Sequence, residues 1–323
     1  VLVTGASGYL GNAVAALLID RGHEVRTLQR RPSGVRGADD VRGSVTDAAR
    51  VAEAVTSMDA VVHLAAKVSL AGDPAEFVRV NVGGTRTVLD AAERAGVSRV
   101  VHISSPSVGH AGRSLAGVGA ERADPAGSRG EYARTKAIAE NLALARSSTR
   151  MPVVAIRPHI VWGPGDTQLI ERLVERARRG VLPLIGDGTA LIDTTYIDNA
   201  AGGIAAALGR APEAAGQALV LTNGEPRTVA ELFERICGAA GVPAPRRRVP
   251  AWAAGAAGAA VERVWARRPG GDEPPMTRFL AEQLSTAHWF DQRHTRAVLE
   301  WSPGVTLDEG FARLARHYGR SAR

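Results

Sequence analysis

The first eleven residues already narrow the fold to one kind. Val1-Leu2-Val3 is apolar, and Thr4-Gly5-Ala6-Ser7-Gly8-Tyr9-Leu10-Gly11 follows at once. From Tyr9 an apolar rhythm at helical spacing (Leu10, Val14, Leu17, Leu18) runs to Arg21-Gly22, where glycine stops a helix. The glycines therefore lie on a turn from a buried strand into a helix. In such a turn Gly5 permits the bend, Gly8 lets the backbone approach a pyrophosphate, and Gly11 brings helix against strand. The helix start at Ser7, Tyr9 and Leu10 adds N–H groups for the anion. Chance triplets are expected in a chain with 36 glycines, so the position at the first strand-helix junction carries the argument.

Strand and helix signals then alternate. Candidate strands cover 24–29, 59–64, 99–104 and 152–157, with helices near 47–57, 75–95 and 130–147, which predicts a parallel sheet covered on both faces, a doubly wound α/β fold. After Trp162 the pattern changes. Residues 168–194 and 223–323 supply helices and short strands broken by Pro and Gly, while 196–221 returns through one more helix and strand. With 323 residues and 45% hydrophobic content, two units are expected: a nucleotide-binding domain of 1–165 with 196–222, and a smaller mixed α/β substrate domain of 166–195 with 223–323.

Two further stretches carry chemistry. Tyr132 and Lys136 lie four apart on one helix face and can meet the same ligand. A phenol titrates near ~10, so as an acid or base at neutral pH it needs a nearby positive charge, which Lys136 can supply. The end of the second strand reads Gln29-Arg30-Arg31. A carboxylate there would hold the ribose 2′-OH of NAD, whereas arginine accommodates a 2′-phosphate. Gln29 stands at the acid's place and Arg30 follows, so NADP(H) is expected over NAD(H).

The spacing Gly-x-x-Gly-x-x-Gly resembles the short-chain dehydrogenase/reductase superfamily. Its extended branch is matched by His63-Leu64-Ala65-Ala66, Asn81-Val82-Gly83-Gly84-Thr85, Ser104-Ser105-Pro106-Ser107-Val108, Arg157-Pro158, Gly163-Pro164-Gly165-Asp166 and Tyr196-Ile197-Asp198-Asn199. The resemblance spans nearly the whole chain and implies a Rossmann-type fold and a nicotinamide cofactor. It also implies that Lys136 holds the nicotinamide ribose and that Ser105, three before Val108, binds the substrate oxygen beside Tyr132. Leu64, Ala65, Ala66, Pro158 and Ile160 fall at cofactor positions. Asn81 matches a family asparagine, with a structural helix contact as its other reading.

Epimerases and dehydratases of this branch often carry Asp-Glu after the catalytic Ser/Thr, and Pro106-Ser107 stands there instead. The motifs are similar to the 3β-hydroxysteroid dehydrogenase-like group. Within it they are most similar to the reductases of bacterial long-chain olefin biosynthesis, which convert a 2-alkyl-3-oxoalkanoate to the 3-hydroxy acid. That implies a hydrophobic ketone/alcohol substrate, with His110, His159, Trp162, Thr195 and Tyr196 around it, each of which is equally readable as packing. His159 departs from the arginine expected there in the olefin reductases. A 3β-hydroxysteroid or other small ketone, sugar chemistry, and a non-catalytic NADP-binding regulator are the alternatives.

A net charge of +7 raises the question of nucleic acid. The excess is nearly all arginine spread along the chain, with Lys67 and Lys136 the only lysines, so a solvated surface is expected. The eight histidines show no metal-ligand spacing. Cys237 alone excludes an internal disulfide and fits a reducing cytosol, and neither a signal peptide nor a spanning segment is visible. Residues 251–268, with Trp252 and Trp265 and flanked by Arg246-Arg247-Arg248 and Arg267-Arg268, read as a helix, and the segment 246–268 is expected to meet a pathway enzyme or a membrane surface, or to pack on its own substrate domain. A cytoplasmic homodimer is the expected form.

Overall fold

The computed structural model describes residues 1–69, 72–109, 114–265 and 277–321. Its centre is a seven-stranded sheet of β1 (Leu2–Thr4), β2 (Arg26–Gln29), β3 (Asp39–Arg42), β4 (Ala60–His63), β5 (Arg99–Ile103), β6 (Val153–Pro158) and β7 (Ala218–Leu221). The order is β7-β6-β5-β4-β1-β2-β3, and every pair is parallel. Order reverses at β1, so the chain after β1 and the chain after β4 leave the sheet on either side of one crevice, where α/β sheets take ligands.

Alternation along each strand divides the side chains between two faces. Val3, Val62, Val101, Ile103, Val154 and Ile156 pack with α1 (Tyr9–Asp20) and the helix Ile197–Gly209. Leu2, Val61, Val100 and Val153 face the opposite way, against Ala48–Val55 and Gly84–Arg94. With both faces covered the central strands become the continuous apolar runs that made them readable. The return predicted for 196–221 is present as Ile197–Gly209 and β7.

Two differences have physical causes. The strand Asp39–Arg42 gave no sequence signal because it is an edge strand, mostly exposed, and pairs only with β2. The helix expected over 75–95 is Pro74–Phe77, then a π-helical turn Val78–Gly83, then Gly84–Arg94.

The rest of the chain builds a second core around Trp162, Val174, Phe233, Cys237 and Phe311. A four-stranded sheet there runs Arg227–Thr228, Leu191–Ile192, His288–Phe290, Leu115–Val118. Its register sets His288 opposite Leu115 and Ile192.

The helix Ala251–Trp265 turns its small residues inward, with Ala254 and Gly258 buried. A Cβ on Gly258 would come within 2.5 Å of the Arg278 backbone, so this face is closed by the chain's own helix Arg278–Ser285. Trp252 and Arg246 to Arg248 remain exposed; Arg267 and Arg268 lie outside the described residues. No helix among the described residues is long and apolar enough to cross a membrane.

Candidate active site

Gly5 adopts φ +79°, and a Cβ there would stand 2.9 Å from the Ala65 backbone. A Cβ on Gly11 would stand 2.3 Å from the Gly5 carbonyl oxygen. The two glycines therefore let β1, α1 and the segment after β4 approach as no side chain would allow. Ser7 and Gly8 are exposed at the start of α1, whose N-cap makes no side-chain hydrogen bond, so the first N–H groups stay available. Tyr9 and Leu10 are half-buried, the Tyr9 hydroxyl donating to the Pro164 carbonyl at 3.2 Å. Leu64, Ala65 and Ala66 are half-buried along the same crevice.

Behind the cradle lies a set of bonds that sequence reading did not find. The Thr4 hydroxyl accepts from Ala65 N at 3.1 Å and lies 2.8 Å from His63 Nδ1; His63 Nε2 lies 3.0 Å from the Thr85 hydroxyl. Burial first, then the Lys136 charge, push His63 down to about 3, so its ring is neutral. Asn81 realises its structural reading. Its side chain accepts from Lys67 N at 2.7 Å and donates to the Lys67 carbonyl and the Thr135 hydroxyl at 3.1 and 3.0 Å. The segment after β4 is thereby tied to the helix Gly130–Ala145, which carries Tyr132 and Lys136. For the first of these bonds the available signal was His63, a polar residue at the end of the apolar strand β4.

Lys136 is buried, and its ammonium donates to the Ile103 carbonyl. Desolvation lowers it to about 8, against the opposing pull of Glu140. Glu140 is itself held by Arg157 in a fully buried two-pronged pair, at 2.8 and 2.5 Å, which fastens this helix to the end of β6. Tyr132 is raised above its ordinary value by burial, opposed by a hydrogen bond with Ser105. The Ser105 hydroxyl also accepts from Ser107 Oγ at 2.9 Å.

Ser105, Ser107 and Tyr132 open on a cavity of 160 Å³, joined there by His159, His288 and Gln283. Pro106, Leu115, Pro158, Ile160 and Phe290 form its apolar wall. Ile160 sits at φ +42°, a left-handed conformation that costs a β-branched residue about 1–3 kcal/mol and is held where β6 turns across the cavity. Of the other expected substrate residues, three do not line this cavity. Trp162 stacks on Phe311 with its indole N–H on the Thr194 hydroxyl, and Tyr196 packs edge-on against Trp162. Thr195 gives its hydroxyl to the His159 and Leu221 carbonyls. The Trp162 indole N–H and the Thr195 hydroxyl are thus paired within the protein. His110 lies outside the described residues.

The model of the NAD dependent epimerase/dehydratase family matches residues 1–221. The chain belongs to that family. Its members of the extended short-chain dehydrogenase/reductase type supply the solved and curated relatives. The 2-alkyl-3-oxoalkanoate reductase of Stenotrophomonas maltophilia is 42% identical, over 97% of this chain and 98% of its own length. A 3 beta-hydroxysteroid dehydrogenase/Delta 5→4-isomerase of Mycobacterium tuberculosis is 33% identical over 98% of this chain and 90% of its own. Among solved structures, a short-chain dehydrogenase/reductase superfamily protein of Agrobacterium tumefaciens with bound NAD superposes with a TM-score of 0.77 at 26% identity, covering 99% of this chain and 97% of the other.

The protein is thus an NAD(P)-dependent oxidoreductase of the extended short-chain dehydrogenase/reductase family, and the cradle fits a dinucleotide: a Cβ would close it at Gly5 and Gly11, and no side chain caps the start of α1. At the far end of that crevice Gln29 is buried, its amide nitrogen 3.1 Å from the Thr27 hydroxyl, while Arg30 is exposed. The nearby Asp40 carboxylate already accepts from Ser33 N at 2.9 Å and Ser33 Oγ at 2.5 Å.

Proposed function

We propose that this protein reduces the ketone of a 2-alkyl-3-oxoalkanoic acid to the 3-hydroxy acid with NADPH, in hydrocarbon biosynthesis. The observation that carries the reading is the cavity in which Ser105 and Tyr132 meet an apolar wall, in a chain 42% identical to a reductase of that name. Gly5, Gly8, Gly11 and the α1 N-terminus would hold the pyrophosphate, Arg30 the 2′-phosphate, and Lys136 the nicotinamide ribose. When bound, the nicotinamide supplies hydride. Ser105 and Tyr132 hydrogen-bond the ketone oxygen, Tyr132 gives it the proton, and the Lys136 charge favours the phenolate left behind. Pro158 and Ile160 shape the boundary between cofactor and substrate. A cavity of this volume takes the ketone-bearing centre, so the alkyl chains run out along the apolar wall. Residues 1–165 with 196–222 then act as the nucleotide domain, and 166–195 with 223–323 as the substrate domain.

A second reading, oxidation of a 3β-hydroxysteroid, draws on the Mycobacterium tuberculosis relative. Oxidation of racemic 2-alkyl-3-hydroxy acids and of a 3β-hydroxysteroid with NADP⁺, side by side, separates the two. Fast steroid turnover with inert hydroxy acids of every chain length overturns the fatty-acid reading.

A further inference from the structure

A lysine and a glutamate four apart on a helix ordinarily pair across the turn. Lys136 and Glu140 have that spacing on the helix Gly130–Ala145, both buried, and Glu140 turns elsewhere. Arg157, on β6, donates from Nε and Nη2 to its two carboxylate oxygens at 2.8 and 2.5 Å, the side chains being 2% and 1% exposed. The Lys136 ammonium donates instead to the Ile103 carbonyl, two residues before the Ser105 that hydrogen-bonds Tyr132. The other groups around it bring no negative charge. His63 and His102 stand opposite in register on β4 and β5, and burial, then the Lys136 charge, holds both imidazoles below their ordinary value and neutral. Tyr132, one turn back on the same helix, is raised by burial. Among the described residues Glu140 is thus the one carboxylate whose charge bears on the lysine.

We infer that Arg157 is a positioning residue for the reduction: by holding both oxygens of Glu140 it denies Lys136 an ion pair on its own helix and keeps the ammonium at the Ile103 carbonyl. The inference rests on the use of the Lys136 charge proposed above and names what keeps that charge in place. Tyr132, Lys136 and Glu140 follow one another at single turns along the helix. Without Arg157, the Glu140 carboxylate would draw the ammonium one turn toward the helix C-terminus, away from Tyr132, since a buried pair is weakly screened. A guanidinium occupies both carboxylate oxygens at once, whereas an ammonium in its place is a point charge with no fork to match them. Arg157 thereby reaches the reaction through two side chains, neither of which it needs to touch substrate to control.

The titration of Lys136 tests this without turnover. Lys67 and Lys136 are the only lysines in the sequence, so lysine labelled with ¹³C at Cε gives two NMR signals, and Lys67→Arg leaves that of Lys136 alone. Its midpoint, about 8 in the cofactor-free protein, is the readout. Arg157→Gln should raise the midpoint by at least about one pH unit, because an unneutralised carboxylate favours the charged lysine. Adding Glu140→Gln should return it to the wild-type value or below. Should Arg157→Gln not fold, Arg157→Lys, which lacks the second prong, must raise the midpoint by at least about half a unit. In ketone reduction Arg157→Gln should lower kcat at least about tenfold with KM within about threefold, and the double variant should recover most of the loss. A pair that only braces the fold lowers stability and leaves the midpoint in place, which overturns the inference. A double variant as shifted as the single one overturns it too, as does a shifted midpoint with unchanged kcat. A midpoint that moves as expected in a protein that reduces no ketone upholds the hold of Arg157 on the lysine's surroundings and sinks the reductase reading.

Discussion

Lys136→Met should make the cofactor-free protein more stable while it abolishes most activity. Lys136 is 4% exposed, and its folded value falls from 10.5 to about 8 because burial outweighs the attraction of Glu140, whose oxygens are committed to Arg157. At 1.36 kcal/mol per unit, holding the charged amine inside costs about 3 kcal/mol at pH 7. Methionine keeps the packing and removes that cost, but strands the Ile103 carbonyl, which returns about 1–2 kcal/mol. The net gain is about 1–2 kcal/mol, or roughly 2 °C in Tm for a chain of this length. The pH dependence fixes the sign. Between about 8 and 10.5 the folded lysine is neutral while the unfolded one still binds a proton, so wild-type stability rises with pH and the cost persists below 8. Urea unfolding of both proteins at pH 7 and 9.5 should show the variant's advantage shrinking by about 2 kcal/mol. A variant less stable than wild type at pH 7, or a difference indifferent to pH, refutes a lysine charged at its own expense. Turnover and cofactor affinity, measured in parallel, should both fall.

Tyr132→Phe removes the proton donor and keeps the ring, so turnover should fall at least ~10²-fold while NADPH titration shows nearly unchanged binding. Exposed Arg30, changed to Asp, should move the ratio of kcat/KM for NADPH over NADH toward NADH; an NADH preference in the wild-type protein contradicts the phosphate role. Gly11→Ala drives a methyl to within 2.3 Å of the Gly5 carbonyl, so α1 must back away; thermal melts should show a loss of about 1–3 kcal/mol, and cofactor binding should weaken with it. Each methylene added to either alkyl chain of the hydroxy acid should raise kcat/KM about fourfold until the apolar wall is covered, since burial contributes about 0.8 kcal/mol.

The cradle and the strands around it were legible because local rules agree there: glycine, apolar runs and helix starts occupy one short segment. Ser105, Tyr132 and Lys136 came from motifs, and the fold brings Ser105 and Tyr132 to one cavity, with Lys136 buried on the Tyr132 helix. The edge strand Asp39–Arg42 was silent since exposed residues need no apolar pattern. His288 was silent for another reason. Its place at the cavity depends on pairing with Leu115, 173 residues earlier, and no periodicity within a window encodes that distance. Trp162 and Tyr196 lie in the second core and Thr195 beside it, away from the cavity's lining, and nearness to a motif in sequence does not report which way a side chain is turned.

The register that seats His288 opposite Leu115 also orders the protein's own birth. Synthesis at roughly 5–20 residues per second delivers β1, α1 and the Tyr132 helix first, and the last sheet strand by residue 221. The cavity's far wall, His288 to Phe290, emerges some seventy residues later. For several seconds the nascent chain therefore owns a cradle and an acid but no enclosure, with Leu115 and the apolar end of β6 uncovered. Cofactor capture can precede closure of the substrate chamber, and a ribosome that stalls in this interval leaves a sticky half-built reductase for chaperones or proteases to find.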